Sequence, residues 1–138
     1  QGTDINAFAI STAREEHERH GNRHPEQVAF LEGSMGSCEP CFDGPVDVVV
    51  FNEVLYYLAT IRDVSDEIAR VARWLSPRGI ICISLKDDPK SHAILRSVRK
   101  TYRYIHSVLY QEQVGYPSFR VRINRQRPAY LIAVIAMR

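Results

Sequence analysis

Residues 46–58 read VDVVVFNEVLYYL. From Val46 to Phe51 only Asp47 interrupts the apolar run, which ends in the polar pair Asn52 and Glu53 and is followed at once by Tyr56 and Tyr57. A near-continuous apolar run of this length is how a parallel strand covered on both faces reads. Downstream, Ile61, Val64, Ile68, Val71, Ala72 and Leu75 recur at helical spacing, with Arg62, Asp66, Arg70 and Arg73 between them. Pro77 and Gly79 are expected to stop that helix before a second buried strand, Ile80 to Leu85.

Upstream of the run, QGTD reads as the end of a strand, and Asn6 as the N-cap of a helix from Ala7 to about His20, which Gly21 ends. Val28 to Leu31 is a short apolar strand, and a loop rich in Gly, Ser, Pro and Cys follows through Pro45. Beyond Leu85 the turn KDDPKS opens a helical pattern from about His92 to Leu109. Phe119 to Asn124 alternates apolar residues with arginine, and Ala129 to Met137 is a last apolar strand reached through RQRP, so an antiparallel pair is expected there.

Helices that alternate with buried strands up to Leu85 define an α/β architecture. The expectation is one domain over residues 1–138, a Rossmann-like, doubly wound, mostly parallel sheet with an antiparallel C-terminal strand. Ligands of such sheets bind at the carboxyl ends of the strands. The balance of 45% hydrophobic and 25% charged residues is that of an ordinary globular domain. No basic segment precedes an apolar one at the start of the sequence, and the apolar runs, under about ten residues, are too short for a bilayer. A cytoplasmic protein with no membrane partner is expected. A net charge of +2 does not itself imply a nucleic-acid partner.

The strand ends carry the candidate chemistry. Asp4 stands directly after a strand and before a capped helix, where an acid can accept hydrogen bonds from both hydroxyls of a ribose; alone, it reads more readily as an exposed turn aspartate. Glu32-Gly33-Ser34-Met35 follows the next strand, where a polar side chain could meet an adenine edge and Met35 could pack on the ring, although a Gly-Ser loop is ordinary. Asn52-Glu53 at the end of the 46–51 run is harder to explain by packing, because a carboxylate at the mouth of a sheet costs desolvation energy unless paired or wet.

Taken in order, GTDINAFAISTA, VAFLEGSM, VDVVVFNEVLYYL and EIARVARWLSPRGIICISL resemble the class I S-adenosylmethionine-dependent methyltransferases from their second strand onward. NEVLYYL is particularly similar to small-molecule N-methyltransferases of the nodulation type. The resemblance implies S-adenosyl-L-methionine as cofactor and a small-molecule acceptor. It implies that Asp4 holds the ribose, Ile5 lies against the adenine, Ser34 and Met35 take the adenine edge, and Asn52 lies beside the transferring methyl. Ser34 departs from the aspartate more usual there. Glu53 would accept a proton or stabilise a developing ammonium, while Tyr56 and Tyr57 shape the acceptor pocket. The family's first strand and glycine-rich turn have no counterpart in these residues, so a missing N-terminal segment or partner chain is expected to supply them. In the family's sheet that strand lies between those ending at Asp4 and Phe51. Residues 1–138 alone are expected to bind the cofactor weakly and to be oligomeric or aggregation-prone.

Other signals point elsewhere. Cys38-Glu39-Pro40-Cys41 has the spacing of a redox dithiol, but Phe-Asp-Gly-Pro after it does not begin a helix, and no second cysteine pair exists for zinc. His17, His20 and His24 stand among Glu and Arg and read as a solvated face, so no metal is expected. Arg96, Arg99, Lys100 and Arg103, interleaved with Tyr102 and Tyr104, form a basic stripe assigned to the last helix. The stripe reads more readily as a solvated face than as an RNA site; RNA methylation through it and, separately, a non-catalytic methyltransferase-like interaction subunit are the alternative readings.

Overall fold

The computed structural model describes residues 1–20, 28–41, 43–111 and 129–136. They fall into two compact units, Gln1–Gly44 and Pro45–Arg138.

In the first unit β1 (Gly2–Asp4) and β2 (Phe30–Glu32) pair in parallel, with Gly2 opposite Phe30 and Asp4 opposite Glu32. Helix α1 (Ala7–Arg19) connects them. Its cap is the one expected, the Asn6 side chain accepting from the N–H groups of Phe8 (3.0 Å) and Ala9 (3.4 Å). Ile10 is the residue that α1 buries. Strand β2 starts two residues later than the apolar run, because the ladder is entered only where the Ala29 carbonyl accepts from Gly2 N–H (2.8 Å). A one-turn 3-10 helix, Met35–Ser37, follows.

The second unit is a four-stranded sheet in the order β3-β4-β6-β5, made of β3 (Val46–Asn52), β4 (Leu75–Lys86), β5 (Arg103–Gln111) and β6 (Ala129–Ala136). β3 and β4 are parallel, and β6 is antiparallel to both β4 and β5, so β6 alone runs against the rest of that sheet. Helix α2 (Ile61–Ala72) makes the crossover from β3 to β4, and α3 (Pro89–Thr101) follows β4. A reciprocal capping box between Thr60 and Asp63 starts α2. Asp88 caps α3 through Ser91 N–H (2.8 Å), with Pro89 in its first turn.

Apolar faces of the two helices, Val64, Ile68 and Val71 on α2 and Ile94 and Val98 on α3, are buried together with Ile81, Ile83, Leu85, Ala133 and Ile135 of the sheet. These sheet residues alternate along β4 and β6, so they form a single face. The opposite face is covered by neither helix, and Ile80, Cys82 and Val134 on it are half-buried. Val48 is 49% and Val50 62% exposed, and Ile132 is exposed too. Within this unit both described helices serve one face, and neither of them covers the other face of β3.

Two boundaries also differ from the sequence reading. Pro77 and Gly79 lie within β4 and do not separate helix from strand. The β3–β4 register shifts between Val46, opposite Leu75, and Val48, opposite Ile80, and the irregularity accommodates a proline that has no N–H to give. Gly79 is needed there for space, since a Cβ would stand 2.9 Å from Leu75 Cβ and 3.0 Å from the Val46 carbonyl oxygen. The helix expected from His92 to Leu109 ends at Thr101, and the aromatic and β-branched residues that follow make β5, carrying Arg103 and Tyr104 out of the helical stripe. Arg70 of α2, between the apolar positions, is largely buried; it forks onto Glu67 (Nε 3.0 Å, Nη2 2.7 Å) and stacks over Trp74 at 4.6 Å. The expected strand Phe119 to Asn124 lies outside the described residues, as do Gly21 and His24.

Candidate active site

In the second unit the strand end 52–58 is built around an unusual backbone. Glu53 has φ 57°, the left-handed region, and is the only non-glycine residue with positive φ among the described residues. An L side chain there costs about 1 kcal/mol, and such strain persists where surrounding bonds over-determine it. Here Glu53 N–H donates to the Ser84 carbonyl (3.0 Å), and Ser84 Oγ donates to Glu53 Oε1 (3.2 Å). Ser84 sits opposite Asn52 in the β3–β4 register, so neighbouring strand ends present Asn52, Glu53 and Ser84 together.

The chain then makes one 3-10 turn, Leu55–Tyr57. Leu55 is fully buried and anchors the turn, leaving Tyr57 76% exposed. The Tyr56 and Tyr57 rings lie 4.6 Å apart at 46°. Burial pushes the Tyr56 phenol up to about 12, helped by the hydrogen bonding and charge of Tyr57 and Glu53. Tyr56 is thus a neutral hydrogen-bond donor at neutral pH and a poor base. Lys90 Nζ donates to the carbonyls of Tyr56 and Leu58, 2.7 Å each, tying the turn to α3. Ser84 and Lys90 were not found from sequence. The signal for Ser84 is its place as a hydroxyl near the carboxyl end of the adjacent buried strand, whereas nothing local marks Lys90.

In the first unit the parallel pairing sets Asp4 and Ile5 beside Gly33, Ser34 and Met35: Gly33 N–H donates to the Asp4 carbonyl (2.9 Å). Asp4 is exposed, and its Oδ1 accepts from Asn6 N–H (2.8 Å), leaving further lone pairs for a ligand. Ile5 is 74% exposed and Phe8 77%, adjacent apolar side chains just past the strand. Ser34 Oγ shares a hydrogen bond with Ser37 Oγ (2.9 Å), and Met35 is half-buried.

Cys38, Cys41 and Cys82 are not joined to one another by disulfides. The His17 ring packs edge-on against Phe30, 5.8 Å between centroids, and so is no simple solvated residue. No group of metal-ligating side chains occurs among the described residues, and no helix among them is long and apolar enough to cross a membrane.

The second unit's geometry is that of an α/β sheet with a polar, strained strand end, the first unit's that of a parallel strand pair ending in an exposed acid. A family model described as a methyltransferase domain matches residues 1–81, and the chain belongs to that family. Comparison with curated proteins gives no match. Among solved structures, the N-methyltransferase NodS from Bradyrhizobium japonicum WM9 in complex with S-adenosyl-L-homocysteine superposes with a TM-score of 0.69 at 16% identity. That match covers 96% of this chain and 63% of the other, so the chain spans less than two thirds of that relative's length. A second structure of NodS from Bradyrhizobium japonicum WM9 gives 0.70 at 17% identity, with coverage of 96% and 70%. An rRNA methylase from Streptococcus thermophilus gives 0.60 at 15% identity, with coverage of 99% and 72%. These likenesses establish the Rossmann-like α/β fold anticipated from the sequence.

Proposed function

We propose that the protein is an S-adenosyl-L-methionine-dependent methyltransferase acting on a nitrogen or oxygen of a small-molecule acceptor. Family membership and the fold of NodS support the reaction class, and the strained, doubly anchored Glu53 supports the site. The first unit suits an adenosine: Asp4 offers a carboxylate for the two ribose hydroxyls, with Ile5, Phe8 and Met35 as apolar surface for the base and Ser34 as a polar contact at its edge.

When bound, the cofactor supplies an electrophilic methyl group. That methyl would pass to the acceptor's lone pair by in-line displacement, the sulfur keeping the electron pair of the carbon–sulfur bond. In such an in-line displacement the protein contributes mostly positioning. Glu53 accepts the proton that the methylated nitrogen or oxygen must lose, Asn52 orients the acceptor beside it, and Tyr57 and Tyr56 wall the pocket, Tyr56 as a donor. Ser84 holds the carboxylate in place.

The experiment is Glu53→Gln in the complete polypeptide, with methyl transfer and cofactor affinity measured separately. A rate loss larger than the affinity loss is expected; equal losses would make Glu53 a binding or structural residue. RNA acceptors are the competing reading, favoured by the rRNA methylase likeness. A further part of this proposal concerns β3, whose outer edge has no pairing strand among the described residues. A strand from elsewhere in the polypeptide, or from a partner chain, pairs with that edge and brings the backbone donors for the cofactor's methionine end.

A further inference from the structure

On the helix-covered side of the second unit, α3 and the strands β6 and β5 enclose a cleft of about 240 Å³. His92, Leu95, Arg96 and Arg99 line it from the helix at spacings of three and four residues, one continuous stripe. Tyr104, Ser107 and Leu131 line it from the strands. Leu95 and Leu131 give an apolar floor, and the other side chains supply hydrogen-bond donors without a single carboxylate in the wall.

Three observations set this cleft apart from a solvated basic face. Arg99 is already oriented, its guanidinium stacked over the Tyr104 ring at 4.3 Å. The Tyr104 hydroxyl is buried without a hydrogen-bond partner among the described residues, a state that costs about 1–3 kcal/mol unless a ligand or water relieves it. Finally, Asp87 is engaged by His92 Nε2 at 2.7 Å, and no carboxylate pairs with Arg96 or Arg99 among the described residues. Complementing the α3 dipole would account for Arg99 and Lys100 in the last turn, but not for Arg96 a turn earlier or for the orphaned phenol.

We infer that this cleft binds a phosphate monoester of a small apolar group, the phosphate held by Arg96 and Arg99 with the Ser107 and Tyr104 hydroxyls, and the apolar part on Leu95 and Leu131. Guanidinium pairs match phosphate oxygens in fork geometry, and two of them suit a dianion. None of the side chains that line the cleft is one assigned to methyl transfer, so the inference is independent of the methyl-transfer reading.

The test is a titration of the protein with phenyl phosphate, followed by NMR of the arginine Nε–Hε groups and of the Ser107 amide. Saturable shifts at Arg96, Arg99 and Ser107 are expected, with affinity reduced about tenfold or more in Arg96→Gln/Arg99→Gln. Arg96→Lys/Arg99→Lys, which keeps the charge, should fall between the two, and circular dichroism verifies that both variants fold. Unsaturable shifts, shifts reproduced by chloride, or equal affinity in the glutamine variant would overturn the inference. Tighter binding of a single-stranded RNA at the same arginines, with an affinity that falls steeply with salt, would also overturn it, in favour of a nucleic-acid surface.

Discussion

Glu53 combines two costs, a left-handed backbone and a carboxylate drawn in beside Ser84 and the tyrosines. If the backbone cost is real, Glu53→Gly should be more stable than Glu53→Ala by about 1 kcal/mol in urea unfolding, because glycine alone adopts this φ freely. Equal stabilities would mean that the turn relaxes. Asp4 has a structural duty towards Asn6 N–H as well as the proposed ligand role. Asp4→Asn can keep the first through its amide oxygen while weakening the charged hydrogen bonds of the second. In the complete polypeptide Asp4→Ala should weaken cofactor binding by about 1.5–3 kcal/mol, measured by calorimetry. An unchanged dissociation constant would remove Asp4 from the ribose role. Tyr56, with its phenol raised to about 12, stays protonated in the folded protein where the unfolded chain has ionised. Its contribution to stability is therefore complete below about pH 10 and is lost as pH rises from there towards 12. Tyr56→Phe should flatten stability against pH in that window, and a stability curve unchanged by the substitution would count against the shift.

At the scale of elements, the parts written locally were legible. Asn6 and Thr60 with Asp63 are caps whose partners lie within three residues, and the α2 stripe from Val64 to Val71 follows from period alone. What depends on distant neighbours was not. Gly79 looked like a helix stop because glycine and proline usually punctuate, yet its requirement comes from Leu75 and Val46 across a strand irregularity. Gly79→Ala should accordingly cost about 1–3 kcal/mol, several times the effect of the same change in an open turn. Tyr102 to Leu109 can be read with either period, and pairing with β6 decides for the strand. The candidate site divides in the same way: strand ends gave Asn52 and Glu53, but Lys90 reaches the Tyr56–Leu58 turn only through the fold. Lys90→Met should loosen that turn, costing about 1–2 kcal/mol and slowing methyl transfer, while thermal unfolding and turnover measured together distinguish it from a surface lysine.

For the molecule as a whole, the second unit has a finished side and an unfinished one. Val48, Val50 and Ile132 expose branched apolar side chains on a single sheet face, next to a β3 edge without a pairing strand among the described residues. Surfaces of this kind associate. Residues 1–138 should show a sedimentation coefficient that rises with concentration, and Val50→Lys should suppress the rise; concentration-independent behaviour in both would mean that the face is covered. The place of β6 has another consequence. It lies between β4 and β5, and among the described residues β5 pairs with β6 alone, so strands made earlier wait for one made later. During synthesis, β5 can join the sheet only after Ala129–Ala136 has left the ribosome. Until then α3 has half a platform to rest on. The order of manufacture thus runs against the order of assembly, and a chain halted before Ala129 would carry two fully translated sheet elements with no strand to join them.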